Sequence, residues 1–256
     1  MRSVADRVTS ASLQEDRPLG FFDIFMNDEK KIKKHHRRLT NRDAQDEDRE
    51  ASAHWLADNG TPPALLALLS RFDMALDHQL KDATEKDLIQ SLVRHKGTDA
   101  STAVRQWLRQ CKVTARPLTL LSDIEGPAAA LDVAYELLII EREQDPFKPE
   151  KKKKLLIWLA ERTDSRSVES ADFYCLDFDE GVRYAAAEVL ISEASEQARQ
   201  ALERLFSNPE EDSNRLKVRV MDVFISRRWT LDTPQAVTEL PEGYSVQGSR
   251  FARVNG

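Results

Sequence analysis

The sequence predicts an all-α protein, built as a solenoid of about five to six stacked helix pairs. Segment after segment places apolar residues at the i, i+3, i+4, i+7 spacing that lines one face of a helix. The 256 residues include only 8 glycines and 10 prolines against 32% charged residues, a balance that suits helices better than many tight hairpins. The leading helix of each pair ends at Leu56, Leu92, Leu121, Leu159, Leu190 and Ile225, so the unit recurs at intervals of about 29–38 residues.

The clearest copy runs from Asp179 to Arg228. Val182, Ala185, Ala186, Val189 and Leu190 form one stripe, Ser192 to Ser195 breaks it, and Ala198, Ala201, Leu202, Leu205 and Phe206 form the next. Asn208-Pro209 closes that second helix, because proline disfavours helical backbone in the residue before it. Ser213 or Asn214 can cap a third helix, striped by Val218, Met221 and Ile225. A pair of helices with one stripe each cannot bury both stripes alone, so neighbouring pairs must stack on it.

These residues resemble a HEAT repeat. Asp179, Val182 and Arg183 match the family's turn aspartate and following Val-Arg, and Ala186 with Val189-Leu190 matches its small-then-aliphatic helix. Val218-Arg219 repeats the Val-Arg step, with Arg215 in the aspartate's place. The resemblance is good over Asp179 to Arg228 and loose over Asp48 to Leu159. It implies a right-handed α-α superhelix of the armadillo-like class, in which Asp179 and Arg183 bridge neighbouring turns and the returning helices line a concave side. The Trp-x-x-Leu-Gly opening of tetratricopeptide repeats and the Thr-Pro-Leu-His of ankyrin repeats are absent.

Taken in order, residues 1–19 are polar and read as a disordered N-terminal extension. Residues 20–44 carry Phe21, Phe22, Ile24 and Phe25 ahead of the basic run Lys30 to Arg38. This segment is expected to cap the open end of the stack, with docking of 21–38 on an anionic membrane surface as the alternative. The repeat domain spans 45–229. Acidic residues from Asp43 to Glu50 suit a helix amino terminus. Ala51, Ala53, Trp55 and Leu56 form the first leading helix, Asn59-Gly60 ends it, Thr61 caps the next, and Pro62 sits in its first turn, where a missing N–H does no harm. Leu65, Leu66, Leu68 and Leu69 return. Leu88, Ile89, Leu92 and Val93, then Ala103, Val104, Trp107 and Leu108, make a second pair. Pro117 to Leu121 is short, Ala128 to Ile140 is strongly periodic, and Asp145 to Pro149 is a connector. Leu155, Trp158 and Leu159 stripe a helix whose first exposed turn is Lys151 to Lys154. Four cations there oppose the helix dipole by ~0.3–1 kcal/mol each, which points to a partner for them or to plain solvation. Residues 230–256 read as an extended tail or a small hairpin covering the last repeat.

The net charge of −6 argues against a dedicated nucleic-acid binder. No run approaches the ~20 apolar residues of a membrane span, and the amino terminus has no signal-peptide core, which gives a cytoplasmic address. Cys111 and Cys175 stand in no metal-like spacing and read as buried reduced thiols. No histidine pair has metal-binding helical spacing, and there is no phosphate-cradling glycine loop or nucleophile elbow, so no catalytic residue, metal or cofactor is expected. Trp55, Trp107 and Trp158 each precede a leucine on a stripe and read as core; Trp229, beside Arg227-Arg228, is the exception. By the HEAT resemblance Arg166, Arg199 and Arg204 face a groove, joined near the end by Arg219, Arg227, Arg228 and Trp229. A cationic groove would attract an acidic protein partner. The expected function is a non-enzymatic interaction or scaffold module binding along the concave face. A HEAT-like DNA-base glycosylase or small-chromophore lyase is the alternative from another class.

Overall fold

The computed structural model describes residues 21–143 and 149–254, with side chains from residue 28 onward. The architecture is all-α: among the described residues twelve α-helices follow one another, and the only strands pair after the last of them. The extension 1–19, most of the connector, and the side chains of Phe21, Phe22, Ile24 and Phe25 lie outside the described residues.

Helix α1 spans Phe21–Leu39, α2 Asp46–Asn59 and α3 Pro62–Leu69. Gly60 ends α2 in the left-handed region at φ 64, its N–H returning to the Leu56 carbonyl. Thr61 occupies the cap position of α3 without capping it, because its hydroxyl donates to Asn59 Oδ1 at 2.5 Å. A 3-10 turn over Ser70–Asp73 buries Arg71 and Phe72. Then come α4 (Gln79–His95), α5 (Ser101–Gln110), α6 (Ala115–Glu125), α7 (Pro127–Glu143), α8 (Pro149–Ala160) and α9 (Ser167–Tyr174). The last three helices are α10 (Glu180–Glu193), α11 (Glu196–Ser207) and α12 (Asn214–Arg227), each opened by a side-chain cap. Asp179, Ser195 and Ser213 accept from the Val182, Ala198 and Leu216 amides. That settles the choice between Ser213 and Asn214.

The helices form two files. Along one, α2, α4, α6, α8, α10 and α12 each pack on the next. Along the other run α1, α3 and α5, then α7, α9 and α11, and cross-packing such as α2 on α3, α6 on α7 and α9 on α10 joins the files. The apolar stripes meet between them in one continuous core, from Leu39 through Leu68, Leu121 and Leu159 to Phe224. Trp107 and Trp158 are buried in it, and Trp55 stacks on His35 with centroids 4.3 Å apart. Cys111 and Cys175 are buried and free, and burial pushes the Cys111 thiol up to about 12.

Ion pairs run between members of a file. Arg49 of α2 donates to Glu85 of α4, Arg116 of α6 to Asp87 of α4, Arg109 of α5 to Glu136 of α7, and Arg215 and Arg219 of α12 to Glu180 and Glu188 of α10. These partners lie 27–36 residues apart. Most are exposed and contribute little individually. The buried ones matter more. Glu85 lies between two buried guanidinium groups, Arg49 at 2.7 Å and Arg71 at 2.9 Å, and Arg71 also reaches Asp82 at 2.9 Å. Arg183 grips the buried Glu211 through two bonds of 2.7 and 3.0 Å. Arg183 thus ties α10 to the loop before α12, whereas Asp179, expected to bridge neighbouring turns with it, caps its own helix through the Val182 amide.

The four lysines opening α8 do not form an exposed turn. Lys152 is buried against Asp177 at 2.6 Å, Lys151 donates to the Arg109 carbonyl at 3.0 Å and pairs with Glu141, and Lys154 donates to the Lys112 carbonyl at 3.1 Å. Only Lys153 stays local, pairing with Glu150. Arg109 and Lys112 lie at the carboxyl end of α5, where the helix dipole is negative, so the cost at the α8 amino terminus is offset on another helix.

The described tail runs through a 3-10 turn at Pro234–Ala236 and ends in a hairpin. Strands β1 (Tyr244–Gln247) and β2 (Arg250–Arg253) pair antiparallel, with Val246 opposite Phe251. Phe251 buries its ring against Phe206 and Phe224 at 4.8 and 5.6 Å, and Tyr244 and Arg253 both donate to Asp222 of α12 at 2.8 Å. The strap between α12 and the hairpin is held by Glu203. Burial alone would raise this carboxyl, but the Asp232 and Thr233 amides, the Thr233 hydroxyl and Arg199 donate to it and keep it below its ordinary value of 4.5.

Two outcomes follow for stability. Replacing Arg183 by Leu leaves Glu211 buried without its counter-charge, and should lower the urea unfolding free energy by about 3–5 kcal/mol. For Glu203, a carboxyl depressed in the folded state gives stabilisation that is complete above its unfolded pKa and is lost as pH falls through the folded one. Glu203→Gln should therefore cost about 1–3 kcal/mol at pH 7. The gap from wild type should close on acidification below the ordinary value of 4.5, as read by urea melts at stepped pH.

Candidate interaction surface

The turn between α9 and α10 presents apolar side chains outward from a tightly held backbone. Its residues continue the helix briefly, with the Cys175, Leu176 and Asp177 amides donating to the Ala171, Phe173 and Tyr174 carbonyls. Asp177 Oδ1 then accepts from the Asp179 amide at 3.0 Å, and Asp179 starts α10. Arg183 reaches back to donate to the Asp177 and Phe178 carbonyls at 3.1 Å, while Lys152 holds the Asp177 carboxylate. Tyr174 anchors the preceding turn through its hydroxyl, which donates to the Leu138 carbonyl at 2.6 Å. Gly181 permits this arrangement, since a Cβ there would stand 3.0 Å from Asp179 Oδ1 and 3.2 Å from Lys153 Cδ.

On this frame Leu176 is 71% exposed, Phe178 78% and Phe173 46%. Three adjoining grooves meet at Leu176. One, of about 560 Å³, lies among Arg142, Glu169, Asp172, Phe173, Arg204, Leu205 and Asn208. A second, of about 610 Å³, lies among Asp177, Phe178, Arg183, Glu210 and Asp212. The third, of about 330 Å³, runs between Glu141, Arg142, Lys152, Phe173 and Phe178. The Arg142 guanidinium covers the face of Phe173 at 3.6 Å. Burial raises the Tyr174 hydroxyl and the Cys175 thiol beneath the turn, so neither ionises near neutrality. The arrangement offers apolar contact and charge, and no nucleophile with a neighbouring base.

The residues singled out in the sequence are not brought together as one cationic groove. Arg199 is 4% exposed and saturated, donating to Glu196, Glu203, Asp232 and the Thr230 carbonyl. It is a strut for the C-terminal strap and faces no groove. Arg166 pairs with Asp164 and Asp132 and lies over Tyr135, while Arg219 grips Glu188 at 2.6 Å. Arg227 lies 4.8 Å from the Trp229 ring, which packs edge-on against Phe224 at 5.3 Å. Arg228 ends α12 in the left-handed region at φ 57. Only Arg204 lines the Leu176 grooves, paired with Asp172 at 2.7 Å; it also borders a cavity of about 250 Å³ with Glu203, Asp232 and Thr233. An arginine on a helix face looks the same in sequence whether its carboxylate lies on a neighbouring helix or on a partner.

Leu176 and Phe178 escaped the sequence reading, although they carried a signal. They alternate with Asp177 and Asp179 in a stretch that continues no stripe, and apolar residues in a polar turn have no core to enter. Neither a protein-family model nor a curated protein matches the chain. No helix among the described residues is long and apolar enough to cross a membrane. Because Leu176 contributes surface and no core contact, Leu176→Ser should change the urea unfolding free energy by less than about 0.5 kcal/mol. A loss several times larger would assign this side chain to the fold.

Proposed function

We propose that this chain is a non-enzymatic interaction module, a HEAT-like solenoid that binds a partner protein through the surface around Leu176. The observation that carries the reading is the combination of rigid backbone and exposed apolar side chains in the α9–α10 turn. An apolar patch held by Arg183, Lys152 and Asp179 loses little conformational freedom on binding, which favours affinity. Burying Leu176 in a partner contributes about 1.5–3 kcal/mol before the costs of association. Support for the repeat reading comes from the two files of helices and from ion pairs 27–36 residues apart, which matches the interval between leading helices.

The binding surface on this reading differs from a stripe of arginines along the returning helices, since Arg166, Arg199, Arg204 and Arg219 already hold carboxylates of their own chain. Quantitative pull-down with the immobilised full chain compares wild type, Leu176→Asp and Arg219→Glu. Partners recovered by wild type should be lost with Leu176→Asp and kept with Arg219→Glu. The reverse pattern would return the function to the arginines.

A further inference from the structure

The charges around Leu176 indicate what kind of segment docks there. The cations of this surface are engaged internally: Lys152 with Asp177, Arg183 with Glu211, Arg204 with Asp172, and Arg142 over the Phe173 ring. Two acids are not matched. Glu169, in one groove bordered by Leu176, and Glu210, in another, are exposed and have no cation partner among the described residues. Asp212, 89% exposed, accepts from Arg183 at 3.1 Å and shares that guanidinium with Glu211, so one cation serves two carboxylates there. The apolar anchor thus borders two grooves that each carry an unmatched acid.

Resting on the docking role proposed for this surface, we infer that its occupant is a basic–apolar segment: an aliphatic or aromatic residue set between lysines or arginines on both sides. The apolar residue covers Leu176 and the edge of Phe173, and its flanks reach Glu169 in one direction and Glu210 and Asp212 in the other. Rim charges of this kind select partners and speed encounter more than they add affinity, so the apolar residue sets strength and the basic flanks set choice. An acidic segment would meet the two uncompensated carboxylates of Glu169 and Glu210, with Asp212 beside the second.

Display of a random peptide library against the full chain tests this, with Leu176→Asp and the double variant Glu210→Lys/Asp212→Lys selected in parallel. Wild type should enrich peptides carrying an apolar residue between basic ones. Charge reversal should weaken the best of these about tenfold, read by fluorescence anisotropy, and raising the salt should weaken wild-type binding as well. Peptides with acidic or uncharged flanks, or a preference unmoved by charge reversal, would overturn the basic–apolar assignment while leaving docking at Leu176 in place. No enrichment, or the same enrichment on Leu176→Asp, would remove the docking surface itself.

Discussion

No helix in this chain can bury its apolar stripe by itself, and the rest of the structure follows from that constraint. Helix α10 shows it most fully, with Val182, Ala186, Val189 and Leu190 covered on different sides by α8, α9 and α11. Since each helix needs its neighbours, the spacing between members of a file is set by side-chain volume, and the surface pairs between them fall at a regular sequence separation. Those pairs add little energy where they are exposed. Their larger effect is on register: a slip of α12 along α10 would part Arg215 from Glu180 and Arg219 from Glu188 together.

The fold was legible in the sequence because its determinants are local. The stripes on α7, α10 and α11, the Gly60 and Pro62 punctuation, the break at Ser192 to Ser195 and the Asn208-Pro209 stop all act within a few residues of where they are read. What was not legible depends on partners far along the chain. Lys151 and Lys154 look like a solvated turn until the carbonyls of Arg109, in the last turn of α5, and Lys112, just beyond it, each 42 residues away in sequence, meet them. Arg199 looks like a surface cation until Thr230 and Asp232 fold back on it. The tail could be read as strand or coil, because whether Phe251 is buried depends on Phe206 and Phe224 lying on two different helices.

The same limit explains the candidate site. Periodicity identifies residues that belong to a stripe, and a docking surface consists of apolar residues that belong to none. Leu176 and Phe178 sit in a turn that invests several buried or half-buried polar groups, Lys152, Asp177, Arg183 and Glu211, in fixing its backbone. A loop that only connected two helices would not need so many. The burial of these groups and the exposure of the leucine between them are two sides of one arrangement, in which the polar side chains face inward and support the backbone from below.

The C-terminal hairpin also bears on how such a chain can lengthen. On the repeat reading proposed above, the array grows when a unit is duplicated and the new copy stacks on the old one. Here Phe251 occupies the contact that a following helix would need on α12, while Glu203 and Asp222 tie the strap and the strands in place. A duplicated pair joined after Arg228 would have to displace the hairpin. One inserted at the Asn208–Ser213 loop would keep it on the final helix, so a longer descendant is expected to carry its extra units inside the array and retain the same closing strands.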